Sequence, residues 1–553
     1  MSRYVIGVDV GTGSARAGLF NESGALLAAE THPIVTWKPR PDFVEQSSED
    51  IWRAVCSTVQ SVLIAANVAP GDIAGISFDA TCSLVVLDRE DQPLTVDPDG
   101  DPQRNVIVWM DHRAMSETAA INAGGFDVLR YVGGKMSPEM ETPKLKWLKT
   151  HLAETWSSAG KFFDLADYLT YRSTGVDGRS LCTVACKWTF LGHEGPKGRW
   201  DMEFMNSIGI ADAFERGCIS NDVRPMGSFL GSLTETSAAE LGLTRNCTVG
   251  VGIIDAHAGG LGLLGAVWNG SDGQDLSKLE TVLALIGGTS NCHMAVSREP
   301  KFIDGIWGPY FGAMVPDMWL TEGGQSSAGS AIDHVIQDHA NYPLLVLEAS
   351  RRGLTMYELL NEEVWRLAKA ESLSFTALLT RAIHVLPYFL GNRSPNADPN
   401  ATAIIEGLTL DKSITSQALI YYATLQAVAY GTRDIVRAMN EDGYRIESMF
   451  VTGGGTKNPL WLQEHADATG LTLVLPRESE AVLLGSAILA AAAAGLHVSV
   501  PAAMQAMSAP GRVIRPNPDT SSYHTAKFEI FKAMYAQQLR RREYMSSLDP
   551  TRA

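Results

Sequence analysis

The 553-residue chain carries 45 Lys plus Arg against 62 Asp plus Glu, a formal net charge of −17, which disfavours nucleic acid or an acidic membrane as partner. With 45% apolar and 19% charged residues, the composition is that of a globular protein and excludes a disordered chain. The length predicts more than one domain, with a cleft between two lobes as the place for a small-molecule site.

The N-terminus, MSRYVIGVDVG, enters a strand-like run at once and leaves no room for a basic n-region and an apolar h-region; a cytoplasmic protein is expected. Residues 4–10 read as a buried strand, 11–14 as a turn, 15–20 as a second strand, and a third strand runs through Thr31 after a turn at 21–24. A dinucleotide-binding unit would need a third glycine and a helix after the turn; Arg16 stands in that glycine's place and a strand follows. Asp9 ends the first strand directly before the glycine turn. It can hold a hydrated Mg²⁺ against phosphates on that turn, or cap the turn itself.

Several polar residues are then set among aromatic or apolar neighbours: Glu45 and Gln46 after Phe43, Asp79 to Thr81, Trp109 with Asp111 and Arg113, Lys187 beside Trp188, and Glu322 before Gly323. Such mixtures of aromatic wall and fixed polar group grip polyols. The seven cysteines are odd in number and scattered, which fits a reducing compartment and no disulfide scaffold. Cys182 and Cys186 are four apart, but no second pair of Cys or His lies near them in the sequence to complete a structural zinc site, so buried free thiols are expected. The segment 249–260, VGVGIIDAHAGG, brings Asp255 out of an apolar strand into a glycine-rich opening. There it can accept a proton from a substrate hydroxyl. His257 competes as base; Asp255 is preferred because a carboxylate ionised at neutral pH suffices when positioning dominates phosphoryl transfer.

A polar, glycine-bearing stretch at 265–278 marks the expected domain boundary. Beyond it the opening pattern returns: an apolar strand at 281–286, Gly-Gly-Thr-Ser at 287–290, and an extended run at 292–296. Two lobes built alike can place two small-residue turns on opposite walls of one cleft, each offering N–H groups to phosphate oxygens. A third cluster, Gly453 to Gly455, links a strand at 448–452 to an amphipathic helix at 458–470, with a further strand at 471–475. That arrangement sets a glycine turn at a helix N-terminus, which favours phosphate or a nearby nucleotide. No P-loop motif is present. The Ala-rich stretch at 481–496 is too short for a comfortable membrane span of about 20 residues and reads as a buried helix.

Together these motifs resemble the FGGY carbohydrate kinases of the actin, sugar kinase and heat-shock ATPase superfamily. IGVDVGTGSARAGLF is similar to the family's first phosphate motif, IGGTSNCHM to the second, VTGGGTKNPLWLQEHAD to the adenosine motif and GIIDAHAGGLG to the segment of the catalytic base. FDATCSLVVLD, NVIVWMDHRA, RSLCTVACKW, GIWGPYFGAMVP and EGGQSSAGSAIDH resemble the ribulokinase-like branch, the D-ribulose kinases in particular. The resemblance implies an α/β fold of two actin-like, ribonuclease H-like lobes, 1–264 and 265–553, each a mixed β-sheet flanked by helices, around a nucleotide cleft. It implies ATP- and Mg²⁺-dependent phosphorylation of a terminal hydroxyl of a pentulose, D-ribulose giving D-ribulose 5-phosphate, with Asp255 as base and Asp9 near the metal. By the same resemblance Gly11, Thr12, Gly13, Gly288 and Thr289 contact phosphates, Gly454, Gly455 and Asn458 the nucleotide, and Ala80, Lys187, Asp255 and Glu322 the sugar. Asn291 stands where ribulokinase relatives carry Ser or Thr. The alternatives are a related kinase of ribitol, L-ribulose, xylulose or glycerol and, in another class, an actin-like ATPase chaperone or filament protein, against which the sugar-type segments weigh. The expected partner is a small sugar or polyol, with neither nucleic acid nor membrane, and a homo-oligomer such as a dimer is compatible.

Overall fold

A three-stranded antiparallel meander opens the fold: β1 (Tyr4–Val10), β2 (Ser14–Asn21) and β3 (Leu26–Pro33). The computed structural model describes residues 3–271 and 273–548. Asp272, within the expected boundary stretch, and the first two and last five residues of the expected domains lie outside the described residues.

Helix α1 (Ser48–Ala66) buries the stripe Ile51, Val55, Val59 and Val62 against β2 and β3, at the spacing an amphipathic helix requires. The chain then enters β4 (Ile73–Ala80), which pairs parallel with β1. A four-stranded insertion containing Leu84–Asp88 and Val106–Ile107 carries the loop with Trp109. Helix α2 (Leu181–Lys187) follows, then β5 (Phe229–Ser232), β6 (Thr248–Gly250), β7 (Ile253–Ile254) and helix α3 (Asp255–Leu264). The first sheet has the order β5-β6-β4-β1-β2-β3, with β7 also on β4.

The second lobe repeats this plan. β8 (Val282–Gly287), β9 (Asn291–Ser297), β10 (Trp307–Phe311) and β11 (Trp319–Gln325) precede helix α4 (Met356–Ala370) and the long helix α5 (Ile414–Glu441). Then come β12 (Ser448–Gly453), helix α6 (Pro459–Thr469), β13 (Thr472–Pro476), helix α7 (Ala481–Ala493) and β14 (Pro510–Ile514). The sheet order is β10-β11-β9-β8-β12-β13-β14. In both sheets an antiparallel meander leads into parallel neighbours, β1 with β4 and β8 with β12, which is the similarity between lobes that the two glycine turns predict.

Helix α7 joins the lobes. Though it belongs to the second half of the chain, it packs on α3 and on β1 and β4 of the first sheet, and it is buried around most of its circumference, as its alanine-rich composition predicts. Here the structure departs from the expected opening after Asp255. The small residues of α3 are a helix-to-helix contact face: a Cβ on Gly262 would lie 2.0 Å from the carbonyl oxygen of Ala481. Close backbone approach, rather than room for a ligand, explains that run of glycines.

Candidate active site

Strand register brings three carboxylates to one edge of the first sheet. Asp9 on β1 stands opposite Asp79 on β4, and Asp79 in turn stands opposite Ile253 on β7, two residues before Asp255. All three lie at the carboxyl ends of parallel strands, where open α/β sheets bind ligands. Asp79 Oδ2 accepts a 2.6 Å hydrogen bond from Ser486 Oγ of α7, while its buried Oδ1 has no hydrogen-bond partner. Burial, and then the charge of Asp9, hold Asp79 well above the usual carboxylate range. The same two causes push Asp255 up to about 6. Asp9 Oδ2 accepts from Arg16 Nε at 2.8 Å, and Arg16 also reaches Glu480 Oε2 at 2.8 Å. An all-oxygen donor set with one unpartnered buried oxygen and mutually repelling carboxylates fits a hard divalent cation such as Mg²⁺.

Asp9, Arg16 and Asp255 floor a cleft of about 510 Å³ whose walls include Thr12, Trp109, Glu139, Lys187, Trp307, Glu322 and Arg393, with Asp79 buried behind them. Trp307 lies between two cations, with Lys187 Nζ 4.7 Å and Arg393 Cζ 5.0 Å from its ring. Arg393 also donates to Glu139 across the cleft. A second cavity of about 870 Å³ is walled by Ile332, Leu354, Tyr357 and Trp365 and floored by Gly454, Gly455 and Asn458. Gly287, Gly288 and Thr289 line both cavities. The second glycine turn is therefore the passage between them.

The two turns are braced alike. Gly11 N–H donates to the Ser14 carbonyl at 3.0 Å and Gly288 N–H to the Ser290 carbonyl at 2.9 Å, so these two donors are spent within the turns. What the glycines contribute is the absence of a side chain. Thr12 is anchored by two side chains: Trp109 Nε1 donates to its Oγ1 at 2.9 Å and Gln46 Nε2 to its carbonyl at 2.6 Å. At the third turn a Cβ on Gly455 would lie 2.8 Å from the Trp461 indole. Asn458 caps α6, its Oδ1 accepting from the N–H groups of Leu460 and Trp461. Its side chain is thus committed to the helix end that borders the cavity. Asn291 Nδ2 donates to Gln325 Oε1 at 3.0 Å, tying β9 to β11.

Of the residues expected from sequence, Asp9, Gly11, Thr12, Gly288, Thr289, Lys187, Asp255 and Glu322 all line the cleft, and Gly454, Gly455 and Asn458 the second cavity. Two of the expected residues do not line the cleft. Ala80 is fully buried among core side chains of the first lobe, and its successors Thr81 and Cys82 line the cleft instead. Gly13 is exposed beside the cleft and is not part of its wall. Glu45, Asp111 and Arg113, read from sequence as possible polyol contacts, form a buried ion network, Arg113 bonding Glu45 at 2.8 Å and Asp111 at 2.7 Å. Sequence reasoning missed Arg16, Glu139, Trp307 and Arg393 as cleft residues; only Arg16, beside the first glycine turn, carried a local signal.

His257 faces away from the cleft floor. Nε2 lies 3.1 Å from Glu322 Oε2 and Nδ1 lies 3.0 Å from Cys182 Sγ, so both ring nitrogens are engaged, and the ring is 1% exposed. Against the effect of burial, the Cys182 contact and Glu322 hold the imidazole up to about 10, and His257 holds Glu322 down to about 2.

Models of the N-terminal and C-terminal domains of the FGGY family of carbohydrate kinases match residues 4–262 and 283–494. The chain is 46% identical to the human FGGY carbohydrate kinase domain-containing protein, over 99% of this chain and 98% of that protein. It is 40% identical to a D-ribulokinase of Saccharomyces cerevisiae, over 89% of this chain and 72% of that protein. The fold superposes on a xylulose kinase of Rhodospirillum rubrum with a TM-score of 0.73 at 22% identity, covering 97% and 99% of the two chains. Among the described residues no helix is long and apolar enough to cross a membrane.

Proposed function

The chain belongs to the FGGY family of carbohydrate kinases, ATP-dependent phosphotransferases, and from that membership we propose that it phosphorylates a terminal hydroxyl of a pentulose, converting D-ribulose to D-ribulose 5-phosphate. The observation that carries the reading is the shared turn. Gly288 and Thr289 border both the larger cavity, whose Ile332, Leu354, Tyr357 and Trp365 side chains suit an adenine ring, and the cleft, whose Lys187, Asp255, Glu322 and Arg393 suit a sugar, so a γ-phosphate entering along that turn meets the acceptor hydroxyl over Asp255. The D-ribulokinase relative supports the choice of a pentulose.

In this mechanism Asp255 accepts the hydroxyl proton. Its burial makes it more basic than a solvated carboxylate while leaving it ionised at neutral pH. Lys187 and Glu322 orient the sugar, Trp307 supplies an apolar wall, and the Gly11 to Ser14 and Gly287 to Ser290 turns let phosphate oxygens approach the backbone. Arg16 places a cation beside Asp9 at the same edge. Asp9 and Asp79 would hold Mg²⁺, which supplies neutralisation of phosphate charge. With Arg393 and Glu139 on opposite walls, drawing the lobes together around sugar would exclude water and suppress ATP hydrolysis.

A coupled ATP-consumption assay across D-ribulose, L-ribulose, xylulose, ribitol and glycerol tests the substrate. The highest kcat/KM is expected with D-ribulose; a higher value with any of the others overturns the assignment.

A further inference from the structure

Behind Glu322, on the side away from the cleft, α2 and α3 bring together two thiols and an imidazole that the transfer of phosphate does not use. Cys182 and Cys186 stand one turn apart on α2, and His257 reaches them from the first turn of α3. One ligand atom from each lies within 4.8 Å of the other two, and all three residues are buried. We propose that Cys182, Cys186 and His257 bind a divalent transition-metal ion of the zinc class, and that this site is linked to the sugar through Glu322.

Two thiolates and one imidazole are a borderline-soft donor set, suited to zinc or cobalt and unsuited to magnesium or calcium. Tetrahedral zinc takes sulfur at about 2.3 Å and nitrogen at about 2.0 Å, which sets neighbouring ligand atoms roughly 3.5 to 3.8 Å apart; the Cys182–His257 pair, at 3.0 Å, must open by about half an ångström, within the reach of side-chain rotation on two fixed helices. The imidazole is already oriented as a ligand: its Nε2 lies 3.1 Å from Glu322 Oε2, the carboxylate contact that fixes tautomer and ring plane in metal-bound histidines. Nδ1 is thereby aimed at Cys182 Sγ, 3.0 Å away. A fourth position remains for water. Binding a dication expels two protons, that of Cys186 and the one shared by Cys182 and His257, and leaves the site neutral. Seating an ion between Cys182 Sγ and His257 Nδ1 pushes the imidazole toward Glu322, which its Nε2 already contacts at 3.1 Å, and displaces that carboxylate from the cleft wall. Metal occupancy therefore opposes sugar binding.

The proposal rests on the sugar-kinase reading only for the assignment of Glu322 to the sugar. The full chain, reduced and treated with chelator, is titrated with Co²⁺ without oxygen. One equivalent should produce thiolate-to-cobalt charge-transfer absorption and the visible bands of tetrahedral cobalt, displaced by Zn²⁺ and absent in Cys182→Ser and Cys186→Ser. The Ser variants must keep the wild-type circular dichroism and the MgATP-dependent rise in Tm, which show that they fold. Absence of the bands at one equivalent, or their persistence in both Ser variants, overturns the site. In the Zn²⁺-loaded wild type the KM for the sugar should rise at least fivefold with the KM for ATP unchanged; an unchanged sugar KM overturns the link to Glu322. A protein that phosphorylates none of the sugars tried would still show the cobalt bands, so failure of the substrate assignment is distinguishable from failure of the metal site.

Discussion

Arg393 of the second lobe donates a 3.0 Å hydrogen bond to Glu139 of the first, with each side chain only about one-seventh exposed (13% and 14%). The pair spans the cleft beside Trp307, and both partners line the same cleft as Lys187 and Glu322. Truncating one partner of a largely buried pair leaves the other charge unpaired, at a cost of about 3 to 5 kcal/mol. Arg393→Ala should therefore raise the KM for the sugar by at least tenfold, leave the KM for ATP within twofold, and abolish the compaction expected of the wild type in solution scattering on adding sugar with a non-hydrolysable nucleotide. A variant with wild-type sugar KM and wild-type compaction would show that the pair plays no part in closure.

Asp255→Asn keeps the shape of the cleft floor but cannot take the proton. The kcat should fall by roughly 10² to 10⁴, with ATP binding, followed by Tm, retained. His257→Asn should leave kcat within about tenfold, a barrier change of about 1.4 kcal/mol, and act mainly on the sugar KM, because both its ring nitrogens face protein groups. A dead His257 variant beside an active Asp255 variant would reverse the assignment of the base.

The value of about 6 for Asp255 has a kinetic and a thermodynamic consequence. A base must be ionised, so kcat/KM should fall about tenfold per pH unit below pH 6. For stability, the folded-state value lies above the unfolded one near 3.8, so the protonated form favours the fold. That contribution is fully present below about pH 4 and is lost as pH rises through 6, amounting to about 3 kcal/mol by pH 8. Asp255→Asn removes this dependence. Its stability relative to wild type should therefore be greater at pH 8 than at pH 4, measured by urea unfolding of the ligand-free protein, and a pH-independent difference would refute the burial argument.

Gly485 of α7 offers a test in which local preference and tertiary packing predict opposite signs. Helix propensity favours Ala over Gly by about 1 kcal/mol. A Cβ at this position, however, would lie 1.9 Å from the Ala258 carbonyl oxygen of α3, and overpacking costs about 1 to 3 kcal/mol or more. Gly485→Ala should lower stability by at least about 2 kcal/mol, and kcat should fall with it, because α3 begins at Asp255 and α7 supplies Ser486 to Asp79. A stabilised variant would mean that the helices can separate without loss.

Local sequence was enough to determine the glycine turns, the strands that flank them, the helix capped by Asn458 and the burial of α7, because each depends on residues within about ten positions of one another: alternation, helical periodicity, turn and cap chemistry. The motifs around Asp9, Asp255, Gly288 and Gly454 carried the family for the same reason. Tertiary structure decided the rest. Strand register set Asp9 beside Asp79 and turned Ala80 into the core while setting Thr81 and Cys82 at the cleft. Helix packing converted the glycines after Asp255 from an apparent opening into a contact face. The cleft joined Glu139 to Arg393 across 254 positions, and α2 and α3 joined Cys182 to His257 across 75. No periodicity within one segment records such pairings, since they are fixed by how whole elements bury their apolar faces against one another.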